Sequence, residues 1–308
     1  MRIGLAFGDA RKQQDLAGIA SEIQSARGID TAWVTQGPNL DALVTLATAG
    51  ATTTVELGTA VVPFPQRHPL VLASQALTVQ AATGNRLTLG IGVGIAAMVG
   101  PMFGLPTDRP ARRLREYLEV LRPLLRGEAV DHHGETLTAV GAVAVEGAVA
   151  PPVLVAALGP AMLKVTGELA DGTITWMTGP RTLAEHVVPS ITKAAQGRPA
   201  PRIVAGLHVC LTTDPDAARS RYATDFALAG QVPEYRAMLN REGVDGPADV
   251  LLVGDEDTVA QRIDQLRDTG VTDLMLGPIG TAADQERTIE FLAMRHGRGR
   301  RGGPVRAR

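Results

Sequence analysis

Short runs of β-branched and aliphatic residues alternate with amphipathic helical stretches from one end of the chain to the other, and no Ser/Pro-rich linker interrupts them. Such alternation builds a parallel sheet with helices packed on its faces. Eight runs read as strands: residues 2–8, 31–35, 55–62, 86–93, 153–157, 173–176, 203–211 and 273–276. Between them, Leu16, Ile19, Ala20 and Ile23 share one helical face before Gly28, and Leu114, Leu118, Leu121 and Leu125 share another. Two segments break the regularity. Residues 128–149 alternate as a small hairpin after the fourth helix, and residues 214–243 read as a helical insertion after strand seven.

Eight strands with intervening helices form either an open doubly wound sheet or a closed (β/α)8 barrel. The count favours the TIM barrel, because 308 residues suit one such domain and the first strand leads into Phe7-Gly8-Asp9-Ala10 without a G-x-G-x-x-G fingerprint. Gly90-x-Gly92-x-Gly94 lies inside the fourth strand and lacks the third glycine at the required spacing. The expected domain spans residues 1–294. Residues 295–308 hold six arginines and no acid and read as a flexible tail, leaving 24 cationic against 32 acidic residues in the body, a net −8.

That acidic body, with no aromatic interleaving in the tail, argues against a nucleic-acid partner. Cys210 is the single cysteine, which fits a reducing cytoplasm. The uncharged stretch 87–107 is long enough to cross a bilayer, yet it contains five glycines and two prolines and begins as a buried strand. Only six residues separate Arg2 from Asp9, too few for a signal-peptide core. No membrane partner is expected. Nor is a metal, since adjacent His132 and His133 on a hairpin point to opposite faces. His186 and His296 read as surface residues.

In a barrel the chemistry gathers where strands end. The residues there are Asp9, Gln36, the run from Ala60 to His68, Gly94, Leu158-Gly159, Thr175 to Thr178, His208 with Cys210, and Gly277-Pro278. Strand parity gives Gly206, His208 and Cys210 one face. His208 is either a proton donor or a packed structural histidine, and Trp176 is either a ligand contact or core. Gly159-Pro160 opens a helix, and reads as an ordinary βα turn as well as a phosphate cradle.

Leu57 to Pro69, followed by Arg86-Leu87-Thr88-Leu89-Gly90-Ile91-Gly92-Val93-Gly94, resembles the luciferase-like oxidoreductases, barrels that bind a flavin or the deazaflavin coenzyme F420. Arg115-Glu116-Tyr117-Leu118, Ala156-Ala157-Leu158-Gly159-Pro160 and Ala170-Asp171-Gly172-Thr173-Ile174-Thr175-Trp176 agree, and look most like the actinobacterial deazaflavin-dependent branch. The resemblance runs to Gly280.

It implies an F420-dependent oxidoreductase that passes hydride between deazaflavin C5 and a C=C or C=N bond of a specialised metabolite or modified peptide. An FMN monooxygenase using O2 is the enzyme alternative, and a non-catalytic cofactor-binding protein the alternative of another class. It further implies a homodimer, and a non-prolyl cis peptide and bulge at Ala60-Val61 against the tricyclic ring. The cofactor set it implies is Thr59, Ala60, Val61, His68, Gly94, Leu158, Gly159, Pro160, Thr175 and Trp176, His68 more as a brace of the bulge than as a proton donor; strand-end position adds His208, with Trp176, as catalytic and Asp9, Gln36 and Cys210 in the substrate pocket. With 3% aromatic residues, the ring would rest on aliphatic surface. One departure stands out: relatives often place Ser-His after strand four, where this chain has Gly94-Ile95-Ala96.

Overall fold

The computed structural model describes residues 1–8 and 15–301, with side chains described to residue 296. All eight expected strands form: β1 (Arg2–Phe7), β2 (Thr31–Val34), β3 (Glu56–Thr59), β4 (Leu87–Gly92), β5 (Val153–Ala156), β6 (Gly172–Trp176), β7 (Arg202–Leu211) and β8 (Asp273–Pro278). Each pairs in parallel with its neighbours, and β8 returns to β1, which closes the barrel. The ten-stranded sheet also includes two short strands, Val62–Pro63 beside β4 and Leu252–Gly254 beside the end of β7. The second was not legible in the sequence. It exists because β7 outruns β6, whose pairing stops at Gly206↔Trp176, and the exposed edge from Val209 to Leu211 takes Leu252–Gly254 as a partner.

Period-two alternation sorts side chains into two cores. Ile3, Leu5 and Phe7, Leu87, Leu89 and Ile91, and Val153 and Val155 point out to the helices. Inside, Trp33 is fully buried with Leu154, Ile174, Val204 and Met275 around it. Gly58 makes room, since a Cβ there would lie 2.2 Å from the indole. Below this layer an ionic floor seals the N-terminal end. Arg202 meets Glu56 and Asp273 at 2.6 Å each, Arg2 meets Glu56 at 2.6 Å, and Thr88 donates to Glu56 at 2.8 Å. Above it, half-buried Ala6, Ala60, Val61 and Trp176 form an apolar rim at the C-terminal mouth.

Strands Val130–His133 and Thr138–Gly141 pair antiparallel within the segment read as a hairpin. Buried Glu116 holds its turn, accepting from Thr136 N–H at 2.8 Å, Thr136 hydroxyl at 2.7 Å and Arg112 at 2.7 Å. Burial alone would raise this carboxyl, but the guanidinium, the two Thr136 donors and Glu135 N–H at 3.3 Å bring it down to about 2. Asp171 plays a similar bracing part, accepting from Val153 N–H at 2.8 Å and Arg122 at 2.9 Å.

After β7 come helices Pro215–Asp225 and Pro233–Glu242. Glu242 latches the second to the far side of β6 by accepting from Arg181 N–H at 3.1 Å and Thr182 N–H at 2.7 Å. The C-terminal helix runs Ala282–Arg301, so residue 295 does not begin a tail. Arg295 pairs with Asp264 at 2.6 Å and His296 with Asp30 at 3.1 Å, so His296 is a clasp to the barrel floor and not a surface residue. The uncharged stretch 87–107 divides into β4 and helix Ala96–Phe103, and among the described residues no helix is long and apolar enough to cross a membrane.

Candidate functional site at the barrel mouth

The mouth begins with a bulge. Pairing of β3 with β4 runs Leu57↔Leu87 and Gly58↔Thr88, then resumes one residue out of step at Val62↔Ile91. Ala60-Val61, the bond singled out in the sequence, lies in this gap and is cis. Thr59 bridges the break: its hydroxyl donates to Gly90 C=O at 2.7 Å and accepts from Gly90 N–H at 2.8 Å. A Cβ at Gly90 would lie 2.0 Å from Thr59 O, so only glycine permits the approach. Thr59, expected against a cofactor, therefore holds two strands together, while Ala60 and Val61 face the mouth.

Other expected residues also turn out to be bracing. Thr175 lies on the face of β6 opposite Ile174 and Trp176, its hydroxyl toward Val204 C=O at 3.5 Å, so it cannot reach the mouth. His68 caps helix Pro69–Ala82: Nδ1 accepts from Leu70 N–H at 3.3 Å, which leaves Nε2 to donate to Thr138 C=O of the hairpin at 2.9 Å. Gln36 is committed to its own loop, with its amide donating to Gly37 and Leu40 carbonyls and its oxygen accepting from Ala42 N–H at 3.0 Å. Cys210 is buried under the Gly280 turn, and burial, with Asp284 adding to it, pushes its thiol up to about 11. Asp9 falls outside the described residues. His186, expected at the surface, is half-buried, with its Nε2 bonding Leu158 C=O at 2.8 Å.

What remains does converge. Gly159 is the N-cap of helix Pro160–Leu169 with no side-chain cap, and among the described residues none beyond its chain neighbours comes within 4 Å of where its Cβ would be. Its first N–H groups are thus accessible to an anion. The comparable start at Gly179-Pro180 already holds the Glu242 carboxylate. Gly94 has φ +73 and folds back on Val99, starting the apolar helix Ala96–Phe103 with Met98, Met102 and Phe103 exposed.

On the β6–β7 side, the imidazole of His208 meets the Trp176 ring edge-on at 4.8 Å and Phe226 at 4.6 Å. Its Nδ1 is 2.8 Å from the Tyr222 hydroxyl. Tyr222 stacks on Phe226 at 4.3 Å. Directly after Trp176, Met177 takes φ +53, a conformation a bulky residue rarely adopts and one that gathers at functional sites. Sequence reasoning missed Tyr222 and Phe226. Their i, i+4 spacing on one helix, in a chain with only ten aromatic residues, was the signal available.

The cis bulge, small apolar rim and uncapped helix start occupy one end of the barrel, where comparison with known proteins becomes informative. 5,10-methylenetetrahydromethanopterin reductase of Archaeoglobus fulgidus is 27% identical over 95% of this chain and 97% of its own. Among solved structures, the coenzyme F420 dependent tetrahydromethanopterin reductase from Methanopyrus kandleri superposes with a TM-score of 0.75 at 24% identity, covering 95% of this chain and 97% of that one. An F420-dependent secondary alcohol dehydrogenase in complex with an F420-acetone adduct gives 0.78 at 19%, again over 95% and 97%. These likenesses extend the length of the barrel, and the luciferase-like monooxygenase pattern matches residues 8–273. On that match the chain belongs to the luciferase-like monooxygenase family.

Proposed function

We propose that this protein is an oxidoreductase dependent on the deazaflavin coenzyme F420, acting on a C=C or C=N bond of a specialised metabolite or modified peptide. The observation that carries the reading is the mouth itself: a shallow apolar rim of Ala6, Ala60, Val61 and Trp176 beside an uncapped helix start at Gly159. The rim offers an apolar face to an aromatic ring system, and the helix start offers N–H donors to a phosphate. Names borne by proteins of the same shape, an F420 dependent reductase and an F420-dependent dehydrogenase, support the choice of coenzyme.

Bound there, the coenzyme would supply a hydride, two electrons with one hydrogen nucleus, from C5. The chain's part is to position the acceptor, exclude water and supply the balancing proton to the atom that gains charge. His208 is the donor this chain offers at the mouth, and Trp176 packs against it. Nothing at Gly94-Ile95-Ala96 donates from a side chain, so the proton comes from another strand, for which we assign His208 of β7, or from the substrate.

The family's monooxygenases motivate a second reading, with reduced FMN and O2. Titrating purified protein with reduced deazaflavin and with FMNH2, followed by fluorescence, separates the two. Tight binding of reduced deazaflavin alone is expected; binding of FMNH2 alone would overturn the proposal. Binding without turnover of any acceptor would point to a non-catalytic carrier.

A further inference from the structure

On the inward side of β4, and just beyond its end, every second residue is glycine, and the space each leaves is taken from a different level of the barrel. A Cβ at Gly90 would lie 2.8 Å from Ile174 of the inner core. One at Gly92 would lie 2.6 Å from Val61 of the rim and 3.2 Å from Ala156, and one at Gly94 would lie 2.7 Å from Val99. Val99 is the buried side chain of helix Ala96–Phe103, so this helix forms a third apolar level above core and rim. Helical spacing sets Met102 and Phe103, three and four residues after Val99, on the flank beside it, with Met98 one turn before Met102. These side chains are 45% (Met98), 55% (Met102) and 49% (Phe103) exposed. The opposite flank has only Ala97 and Pro101, and no residue from 87 to 107 carries a charge. A surface helix ordinarily turns polar residues to water. This one keeps its bulk on the side anchored at the mouth and leaves it uncovered, as an apolar surface awaiting a partner does.

We propose that Met98, Met102 and Phe103 determine substrate specificity, as a wall that selects an uncharged acceptor with an extended apolar body. An apolar body placed here removes from water both its own surface and that of the three side chains. A charged acceptor would shed solvent against the same wall and receive nothing in return, because helix Ala96–Phe103 has no polar side chain to offer. The occupant is a molecule held in the mouth because the helix is joined to the mouth: Val99 fills the inward space at Gly94, two residues along from the space at Gly92 that Val61 of the rim fills. The thioethers of Met98 and Met102 are unbranched and polarizable, which suits a wall that must close on bodies of different outline. The reactive C=C or C=N bond then lies over the rim, with the rest of the acceptor along the helix.

This inference rests on the functional reading above, and its test is a binding measurement that needs no turnover. Straight-chain enones of increasing length, and the carboxylate anions of matching length, are titrated calorimetrically into the full chain and into Met98→Gln/Met102→Gln. Both substitutions fall on exposed side chains, and a thermal melt confirms that the variant folds. The enone dissociation constant should drop about fourfold with each added methylene in the parent, with the carboxylates at least about tenfold weaker. In the double variant the gain should shrink to less than about twofold per methylene. A parent that binds no enone, a flat series in the parent, an equally steep one in the variant, or carboxylates as tight as enones would each overturn the wall. Sedimentation of both proteins checks the competing occupant, since a parent dimer that the double variant turns into a monomer would assign the helix to a second copy of the chain. The series is then repeated with reduced deazaflavin bound. Persistence of the length dependence is expected, whereas outright competition would make the helix part of the coenzyme site and overturn its role toward the acceptor. Failure of the parent to bind reduced deazaflavin, with the enone series intact, would instead sink the functional reading and leave the apolar wall standing.

Discussion

Thr59 shows how a single hydroxyl can stand in for a stretch of ladder. Where the bulge separates β3 from β4, its oxygen both gives and receives a hydrogen bond at Gly90. Replacing it with valine keeps the shape but leaves a buried N–H and C=O unpaired. Thr59→Val should therefore lose about 1–3 kcal/mol, read as a lower urea midpoint at constant m-value, and Thr59→Ser should lose less. Cys210 illustrates the limit of strand parity. It shares a face with His208, but β7 continues past the mouth and the thiol ends beneath the Gly280 turn. Its folded value of about 11 lies above the ordinary 9.0, so the native protein should resist thiol reagents at pH 8 and react only on unfolding. Stability is accordingly unaffected below pH 9 and falls as the pH rises from there toward 11.

At the scale of elements, the hairpin 130–141 is fastened by residues far from it in sequence. Glu116 accepts at its turn and His68 donates to Thr138, so a helix and a cap, not the hairpin's own pairing, fix its place. Because the Glu116 carboxyl sits at about 2 when folded and 4.5 otherwise, its contribution is full above pH 4.5 and is lost as pH falls toward 2. Glu116→Gln should cost about 1–3 kcal/mol at pH 7 and almost nothing at pH 2, measured by denaturant titration at both. Gln36, His68 and Thr175 are polar residues at strand ends, candidates for a ligand by that position and, for His68 and Thr175, by the family resemblance as well. Gln36 is consumed within its own loop, whereas the partners of His68 and Thr175, the Thr138 and Val204 carbonyls, come from segments whose proximity no local pattern encodes. The elements themselves were legible because hydrophobic period survives any tertiary arrangement. Leu252–Gly254 was not, since three residues give too short a period to read and it pairs only because β7 overhangs.

Across the whole molecule, the barrel separates stability from function along its axis. The floor of Arg2, Glu56, Thr88, Arg202 and Asp273 lies below Trp33, and the rim and His208 lie above it. Arg202→Ala would leave Asp273, which is almost fully buried, without its strongest partner. We expect a loss of about 3–5 kcal/mol in unfolding free energy with the deazaflavin dissociation constant within twofold of the parent. A large change in affinity would show that floor and mouth are coupled. The sequence by itself determined the eight strands, which are written in local period; the closed barrel came from their count and, with the bulge, from the resemblance to the luciferase-like oxidoreductases. Only the tertiary structure decided which polar side chains meet the mouth and which are consumed by backbone groups, and that Tyr222 and Phe226 of an insertion surround His208. Hydrogen-bond partners and aromatic contacts are set by distances between segments, which a linear pattern does not contain.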